Sequence, residues 1–347
     1  EVSLNSIIIE FKDSYAPKLG LEAPLDFTQA FQIKDLDIYD NFGKLEPLFN
    51  SYNEFTQLHR DNNLHRYYRL TFNDPEVDLI NTMNKIKNIS TVKNVEFNFK
   101  MQAFLVPNDS YYLDQWALNN TGQAVSSGGG NVGTPGCDVD AERAWNITTG
   151  NPNVVIAILD TGIDLDHPDL ASELVAGYDF VNNDTNANDR NMHGTACGSI
   201  AAGTSNNGTG VAGVCWGCSL MPVKVLSDQG FGDFGDIVNG VIWASDNGAN
   251  VISMSLGGGG FNSSFDNAVT YAHNNGTIVI AASGNDNGSI SYPAAYEDCV
   301  SVGAMSPCNE RKSPSSCDGE NFWGSNYGNG LDFVAPGVRI HSATIGG

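Results

Sequence analysis

The part of the chain after residue 150 alternates short, continuously apolar runs with amphipathic stretches. Runs with no polar face are typical of strands buried on both sides, whereas the stretches between them repeat their apolar residues at helical spacing. Strands are predicted at 154–160, 219–226, 249–256, 277–283, 299–304 and 331–335, and helices at 194–203, 234–248 and 264–276. Gly248 and Gly276 stand where two of these helices should end. The alternation indicates an α/β fold in which helices cover a parallel sheet.

The first hundred residues follow a different pattern. Short β-like runs predict strands at 6–12, 65–72 and 95–104, and an apolar stripe predicts a helix over 78–89. A Gly-rich stretch at 126–136 reads as a surface loop. We therefore expect a small α+β domain over residues 1–104 and a larger α/β domain over residues 105–347.

Composition narrows the class of protein. The 347 residues carry 17 basic and 40 acidic side chains, a net charge of −23, which argues against nucleic acid as a partner. Apolar runs such as 154–159 are far shorter than the ~20 residues that cross a membrane, so no membrane span is expected. Because 25 of the acidic residues fall in 105–347, this part suits a secreted or salt-exposed protein and offers ligands to calcium. The chain begins with Glu1 and not with Met, so we expect that a leader peptide was removed.

The seven cysteines all follow residue 136, and an odd number leaves at least one unpaired within the chain. Cys215 and Cys218 form a CxxC pair that leads into a predicted strand. A redox site of the thioredoxin type would open a helix and a zinc site would need further ligands, so neither is favoured. Cys308 and Cys317 flank a polar loop, where either a disulfide or two free thiols would fit.

Candidate chemistry lies where the predicted parallel strands end, because the functional crevice of such sheets forms at their carboxyl edge. Asp160 ends one of these strands, and Gly257 and Asn285 lie just past two others. Asp160 begins an Asp-Thr-Gly motif, which occurs in aspartic proteases, as the acid of a Ser-His-Asp triad, or as a simple helix cap. The chain has one such motif in α/β surroundings, which favours the triad acid over a carboxylate pair.

His193 and Asn285 complete this picture. His193 opens the helical stretch HGTACGSIAAG, 33 residues after Asp160, and the small residues beside it allow the helix to pack closely. A general base is favoured over a structural histidine in this setting. Asn285, just past an apolar strand, can direct its amide at an oxyanion, although an ordinary turn asparagine is the favoured explanation when this residue is taken alone.

Taken together, the segments DTGIDLDHPDL, HGTACGSIAAG, ISMSLGG, VIAASGNDN and SYPAAY resemble, in this order, the subtilisin-like serine proteases, or subtilases. The resemblance runs from about Trp116 to the end of the chain. It implies a three-layer subtilisin-like parallel sheet flanked by helices, with Asp160 as triad acid, His193 as general base and Asn285 as oxyanion donor. The predicted function is that of a secreted serine endopeptidase acting on proteins or peptides.

The resemblance also implies a substrate cleft. An edge segment would pair with the substrate backbone, Ser291 would line the floor of the primary pocket, and two phenylalanines would border the pocket three residues upstream. No acidic group is placed at that floor, so we expect uncharged, apolar or medium-sized residues at the cleaved position. The peptide bond before Pro293 is expected to be cis. The substrate-binding residues implied in this way are Ser255, Leu256, Gly257, Gly258, Phe231, Phe234 and Ser291.

A structural calcium ion is the cofactor that the resemblance implies. Calcium takes 6–8 hard oxygen ligands at ~2.3–2.6 Å. The corresponding residues are Asp109, Asp169, Asn207, Thr209 and Val211, of which the last two would offer backbone carbonyls.

Residues 1–104 resemble the propeptide of the family, a small α+β ferredoxin-like domain that inhibits the enzyme by placing its last strand in the cleft. The processing bond is then expected between residues 100 and 106, with the tail crossing the cleft near residues 255–258.

One departure from the family concerns the nucleophile, which sits in a Gly-Thr-Ser-x-Ala-x-Pro segment that this chain does not contain. Its one Gly-Thr-Ser, at 203–205, is followed by Asn-Asn-Gly. We therefore expect this chain alone to be inactive, as a piece of a protease or, alternatively, as a protease-like binding module. Cys197, four residues after His193, is a conceivable nucleophile, but a packing cysteine is favoured.

Overall fold

A computed structural model describes residues 2–15, 41–49, 55–74, 76–99, 105–125 and 132–347. It divides into two compact units, Glu1–Ala103 and Phe104–Gly347. The end of the predicted strand at 95–104, and residues 126–131 of the predicted Gly-rich loop, lie outside the described residues. Within the described ranges, no helix combines the length and the apolar character that a membrane span requires.

The first unit is built on a four-stranded antiparallel sheet in the order β2-β3-β1-β4. Its strands are β1 (Val2–Phe11), β2 (Phe42–Pro47), β3 (Tyr67–Phe72) and β4 (Val92–Phe99). Its described residues include the helices α1 (Gln57–Asp61) and α2 (Leu79–Lys87) and a 3₁₀ turn at Leu64–Arg66.

The side chains that form the core of this unit alternate along its strands. Tyr68, Leu70 and Phe72 alternate along β3 and are buried, and Leu79 and Ile86 of α2 belong to the same apolar cluster. The predicted helix and, as far as the residues are described, the three predicted strands are present, with bounds that differ by a few residues. Strand β2 was not predicted, because its sequence FGKLEP lacks an apolar alternation.

The second unit contains a mostly parallel sheet in the order β11-β10-β9-β8-β5-β7-β6, with β12 paired to β10. Only the pairing of β11 with β10 is antiparallel among these described strands. The strands are β5 (Val155–Asp160), β6 (Tyr178–Asp179), β7 (Ser219–Lys224), β8 (Val251–Met254), β9 (Ile278–Ala282), β10 (Cys299–Ser306), β11 (Glu310–Arg311) and β12 (Phe333–Pro336).

Helices pack on both faces of this sheet. Those of the second unit are α3 (Ala141–Trp145), α4 (His193–Ala202), α5 (Phe234–Asp246) and α6 (Ser263–Asn274), and a 3₁₀ turn spans Tyr112–Asp114. Along β5, Ala157 and Leu159 pack in the core that α5 and α6 share, whereas Ile156 and Ile158 join the cluster that includes α4. The predicted α/β fold with a helix-covered parallel sheet is therefore confirmed.

The structure also shows how two helices end and how the cysteines are paired. Gly248 and Gly276 each follow the C-cap asparagine of a helix and both have φ of +89°, as expected of a glycine at this position. Cys308 and Cys317 form a disulfide, which is one of the two possibilities predicted for this pair. Cys215 and Cys218 are also joined, a pairing that was not predicted. The other cysteines, all within the described residues, are free: Cys137, Cys197 and Cys299.

Candidate active site

The candidate residues meet at the carboxyl edge of the parallel sheet. Asp160 is the last residue of β5, Ser255 follows β8 directly, and Asn285 lies three residues after β9. Because β5, β8 and β9 are neighbours in the sheet, their ends bring these residues to one crevice. The strand order, and not proximity in the sequence, assembles the site.

Asp160 and His193 form a hydrogen-bonded pair. The Nδ1–H of His193 donates to Oδ1 of Asp160 at 2.7 Å. The Asp160 side chain is completely buried, whereas that of His193 is 49% exposed, so the imidazole bridges a buried acid and the open cleft. The same carboxylate oxygen accepts the Thr161 N–H, and Oδ2 is buried without a hydrogen-bond partner among the described residues. The Asp160 carboxylate is thus held in one position, from which it orients the imidazole of His193.

Glycines allow the helix that carries His193 to approach this closely. A Cβ atom on Gly194 would lie 2.0 Å from the carbonyl oxygen of Gly162, a distance that no side chain tolerates. Gly162 itself has φ of +106°, in the region that favours glycine. The predicted role of the small residues around His193 is therefore confirmed in physical terms.

Two neighbours of His193 increase its basicity. Its hydrogen bond to Asp160, followed by the neighbouring Cys197, raises the pKa of His193 above its usual value. The Cys197 sulfur lies 4.0 Å from Nδ1 of His193, and the side chain also packs against the apolar cluster beneath α4. Cys197 is therefore a packing residue that reaches the edge of the site. It contacts the nitrogen that already bonds Asp160, which disfavours it as the partner of a general base.

Two cavities flank the edge segment, residues 255–258. The larger one, of about 630 Å³, is lined by His193, Phe231 and Phe234 among others. The smaller one, of about 250 Å³, is lined by Asn285 and Ser291. All four residues of the edge segment line both cavities. The imidazole of His193 and the amide of Asn285 therefore line two cavities that share the edge segment.

Ser291 lines the smaller cavity together with one acidic residue. Ser291 accepts a hydrogen bond on Oγ from the amide of Asn326 at 3.0 Å, and Asp286 adds the carboxylate. The peptide bond between Tyr292 and Pro293 is cis, as predicted. In the larger cavity the wall is aromatic, with Phe234 packed edge-on against Phe265, while Phe231 is 78% exposed.

The residues predicted to bind calcium form a separate cluster away from the cleft. Asp109 and Asp169 are both buried, and Asp169 accepts hydrogen bonds from the Val211 N–H and the Asn207 amide. The Asn207 Oδ1 accepts the N–H and hydroxyl of Thr209. Oδ1 of Asp109 is buried with no hydrogen-bond partner in the described part of the chain, and burial raises the pKa of this carboxyl. A buried, unpartnered carboxylate oxygen beside a second acid fits a cation.

The sequence did not point to two residues that hold the site together. Asp189 is buried and accepts hydrogen bonds from Thr161 Oγ1, the Asn191 N–H and both donors of Thr195. Burial alone would raise the pKa of Asp189, but the bonds from Asn191 and Thr195 outweigh it and leave the pKa below its usual value. Lys224, buried beside Asp160 in the register of β5 and β7, donates to the Thr161 carbonyl. In the sequence, Asp189 and Lys224 are each a charged residue in an otherwise ordinary loop or strand. This pattern is too weak to identify them as parts of the site.

The fold and the site together define a class of protein: an α/β protein with an Asp–His pair at the carboxyl edge of its sheet, beside a cleft formed by two cavities. The model of the subtilase family matches residues 151–346, and the chain belongs to this family.

Several proteases have sequences similar to this chain. The chain is 38% identical over 262 residues to the thermophilic serine proteinase of Bacillus sp. (strain AK1), covering 75% of this chain and 59% of that protein. It is 43% identical over 205 residues to thermitase of Thermoactinomyces vulgaris, covering 59% of this chain and 70% of thermitase. With halolysin of Haloferax mediterranei it is 38% identical over 269 residues, covering 76% of this chain and 46% of halolysin. It thus spans about half to two thirds of the length of these relatives.

A solved structure supports the fold independently. A protease from Pseudoalteromonas arctica PAMC 21717 matches with a TM-score of 0.57 and 33% sequence identity, covering 67% of this chain and 73% of the other.

Proposed function

We propose that the protein is a secreted serine endopeptidase that cleaves extended segments of proteins or peptides. The observation that carries the proposal is the 2.7 Å hydrogen bond between His193 and Asp160 beside a cleft divided by the edge segment. Relatives named halolysin and extracellular protease support secretion.

The proposed proton transfer follows from the different surroundings of the two imidazole nitrogens. Because Nδ1 of His193 is bound to Asp160, Nε2 is the nitrogen available to take a proton from a nucleophilic hydroxyl. Asp160 keeps the ring in that tautomer and stabilises the imidazolium that forms. The Asn285 amide, across the edge segment, would donate to the oxyanion, and loss of such a donor costs about 3–4 kcal/mol.

The nucleophile itself is proposed to be a serine outside the printed sequence. The one Gly-Thr-Ser of the chain places Ser205 beyond the far end of α4, which is ten residues long, so about 15 Å of helix separates it from His193. Ser205 also bonds the carbonyls of Gly203 and Gly213. It therefore supports the loop after α4 and is not a candidate nucleophile.

A fluorophosphonate probe on the full-length gene product tests this proposal, since the probe labels a serine that a general base activates. We expect labelling and hydrolysis of unfolded casein, and loss of both in His193→Ala. His273→Ala is the matched control, because His273 is an exposed histidine on α6, outside the cleft. Absence of labelling and of hydrolysis in the unaltered protein would favour the alternative, a protease-like binding module.

Specificity is proposed from the linings of the two cavities. The uncharged floor at Ser291 suits an uncharged, apolar or medium-sized residue at the cleaved position, and the aromatic wall around Phe234 suits a large apolar residue three positions upstream. A peptide library read by mass spectrometry should show this preference. Strict cleavage after paired basic residues would contradict it.

A calcium ion is proposed at the cluster of Asp109 and Asp169, with Asn207 and the carbonyls of Thr209 and Val211 as further ligands. The buried, unpartnered oxygen of Asp109 supports this assignment. A bound calcium ion would neutralise the two carboxylates. Hydrogen bonds already connect the two stretches of chain involved, since the Asn206 N–H donates to Asp109.

The first unit is proposed to be the inhibitory propeptide. Its separate compactness and its antiparallel α+β architecture support this reading. In the same proposal the second unit is the peptidase domain, and the processing bond lies between residues 100 and 106, most of which fall outside the described residues.

A further inference from the structure

The oxyanion loop, residues 284–291, carries both Asn285 and Ser291. Backbone hydrogen bonds to Gly324 and Tyr327 hold it, and the side chain of Asn326 adds three more. Asn326 is 1% exposed. Its Oδ1 accepts the backbone N–H groups of Asp286 at 2.9 Å and Gly288 at 3.0 Å. Its Nδ2 donates to Ser291 Oγ at 3.0 Å. A single buried amide thus joins the two sides of the loop.

The backbone of the loop is shaped around this amide. The Asn326 N–H donates to the Gly284 carbonyl at 2.8 Å. Gly284 has φ of +108°, and a Cβ atom there would lie 2.4 Å from Nδ2 of Asn326. Close approach of the amide therefore requires glycine at the residue that directly precedes Asn285. The side chain of Asn326 and the conformation before the oxyanion donor depend on each other.

The segment that carries Asn326 is itself anchored. The Arg311 guanidinium donates to the Ser325 carbonyl and to Asn287 Oδ1, and it lies 4.4 Å from the centre of the Tyr327 ring. The hydroxyl of Ser325 also accepts the N–H of Ala304 on β10. The segment that carries Asn326 is therefore tied to β10 of the sheet as well as to the loop.

The chemistry at this position requires an acceptor and a donor in one side chain. Two backbone N–H groups face Oδ1, and a buried donor that loses its partner costs free energy. An apolar side chain of equal size would leave both groups unpaired, so the loop would move to restore their bonds to water. That movement would carry Asn285 with it, and preorganised oxyanion donors act only when they are held in place.

We propose that Asn326 is a positioning residue that fixes the orientation of the oxyanion donor Asn285 and the floor of the primary pocket at Ser291. This inference rests on the proposed function of the same cleft. Asn326 touches no substrate in this role. It acts through Asp286, Gly288 and Ser291.

The test compares three variants of the full-length gene product. Asn326→Leu removes every side-chain hydrogen bond. Asn326→Asp keeps an oxygen for the two N–H groups, while the Ser291 hydroxyl can donate to the other oxygen. Asn120→Leu is the matched control, since Asn120 is 2% exposed, bonds the carbonyls of Cys137 and Pro307, and lies outside both cavities.

We expect Asn326→Leu to lower kcat by about tenfold to a hundredfold, below the 10²–10³ that removal of an oxyanion donor itself causes. Asn326→Asp should recover most of this loss, and Asn120→Leu should lower the melting temperature without lowering kcat. Hydrogen–deuterium exchange should rise at residues 284–291 in Asn326→Leu and stay unchanged there in Asn120→Leu. Exchange can be measured whether or not the protein is active.

Two results would overturn the inference. One is a kcat for Asn326→Leu that equals that of Asn120→Leu, and the other is unchanged exchange at residues 284–291. If the unaltered protein lacks activity while exchange rises in Asn326→Leu, the proposed function fails and the structural role of Asn326 stands. If the unaltered protein is active and Asn326→Leu matches the control, the positioning role alone fails.

Discussion

Calcium is the most accessible test of the site assignments, because stability can be measured on the printed chain without any catalysis. The perturbation is Asp109→Asn, combined with removal of the ion by EDTA. Asp109 is chosen because its buried Oδ1 has no hydrogen-bond partner in the described part of the chain. The substitution keeps the size of the side chain and removes the charge that a hard cation prefers.

The magnitude follows from binding linkage. At a free calcium concentration one hundred times Kd, binding to the folded state stabilises it by about 2.7 kcal/mol. For a unit the size of Phe104–Gly347, each kcal/mol shifts Tm by about 2–4 °C. Calcium should therefore raise Tm by about 5–11 °C in the unaltered protein. In Asp109→Asn the shift at the same calcium concentration should be much smaller, because one charged ligand is lost.

The assay is differential scanning calorimetry with calcium or with EDTA, and magnesium serves as the control ion. Asp318→Asn is the control variant, since Asp318 is a buried acid paired with Lys312 and not part of the cluster. It should lower Tm yet keep the full response to calcium. An unchanged Tm in EDTA, or an equal calcium response in Asp109→Asn and the unaltered chain, would refute the reasoning.

Three further predictions concern the pair, the cross-link and the junction. Asp160→Asn should lower the pKa of His193, read by an NMR titration of its ring protons. The raised pKa of His193 stabilises the folded protein, fully at pH values below the pKa of an unfolded histidine, about 6.5. This stabilisation is lost as the pH rises through the pKa of His193 in the folded protein. Because Asp160→Asn removes the cause of the raised pKa, the Tm of the variant should no longer depend on pH in this way. Replacing Cys308 and Cys317 with serine should cost about 2–3 kcal/mol of unfolding free energy, since the disulfide closes a loop with a sequence separation of 9, and denaturant titration measures it. Incubation of the purified chain should leave the bond between residues 100 and 106 intact by mass spectrometry, and concentration-independent cleavage there would show that another residue acts as nucleophile.

The sequence predicted the elements whose signal is local. The strand predicted at 154–160 is Val155–Asp160, and the helix predicted at 234–248 is Phe234–Asp246. Both are set by runs of side chains that decide their own burial, so periodicity is sufficient. The two-residue strands Tyr178–Asp179 and Glu310–Arg311 were not predicted, because they exist only through pairing with a neighbouring strand.

The candidate site shows the same division. Asp160, His193 and Asn285 could be predicted because each stands at the end of a strand or the start of a helix, within a motif that can be read from its immediate neighbours. Their geometry could not, since it depends on the order of the strands.

Asn326 marks what the tertiary structure alone decided. In the sequence it is one asparagine in a stretch without helical or strand periodicity, so no local pattern indicates that its side chain is buried. Its partners lie 35 to 40 residues earlier in the chain and reach it only once β9 and β10 pair. Local patterns report which segments become helix or strand. The hydrogen bonds that hold a functional loop depend on which distant segments the sheet brings together.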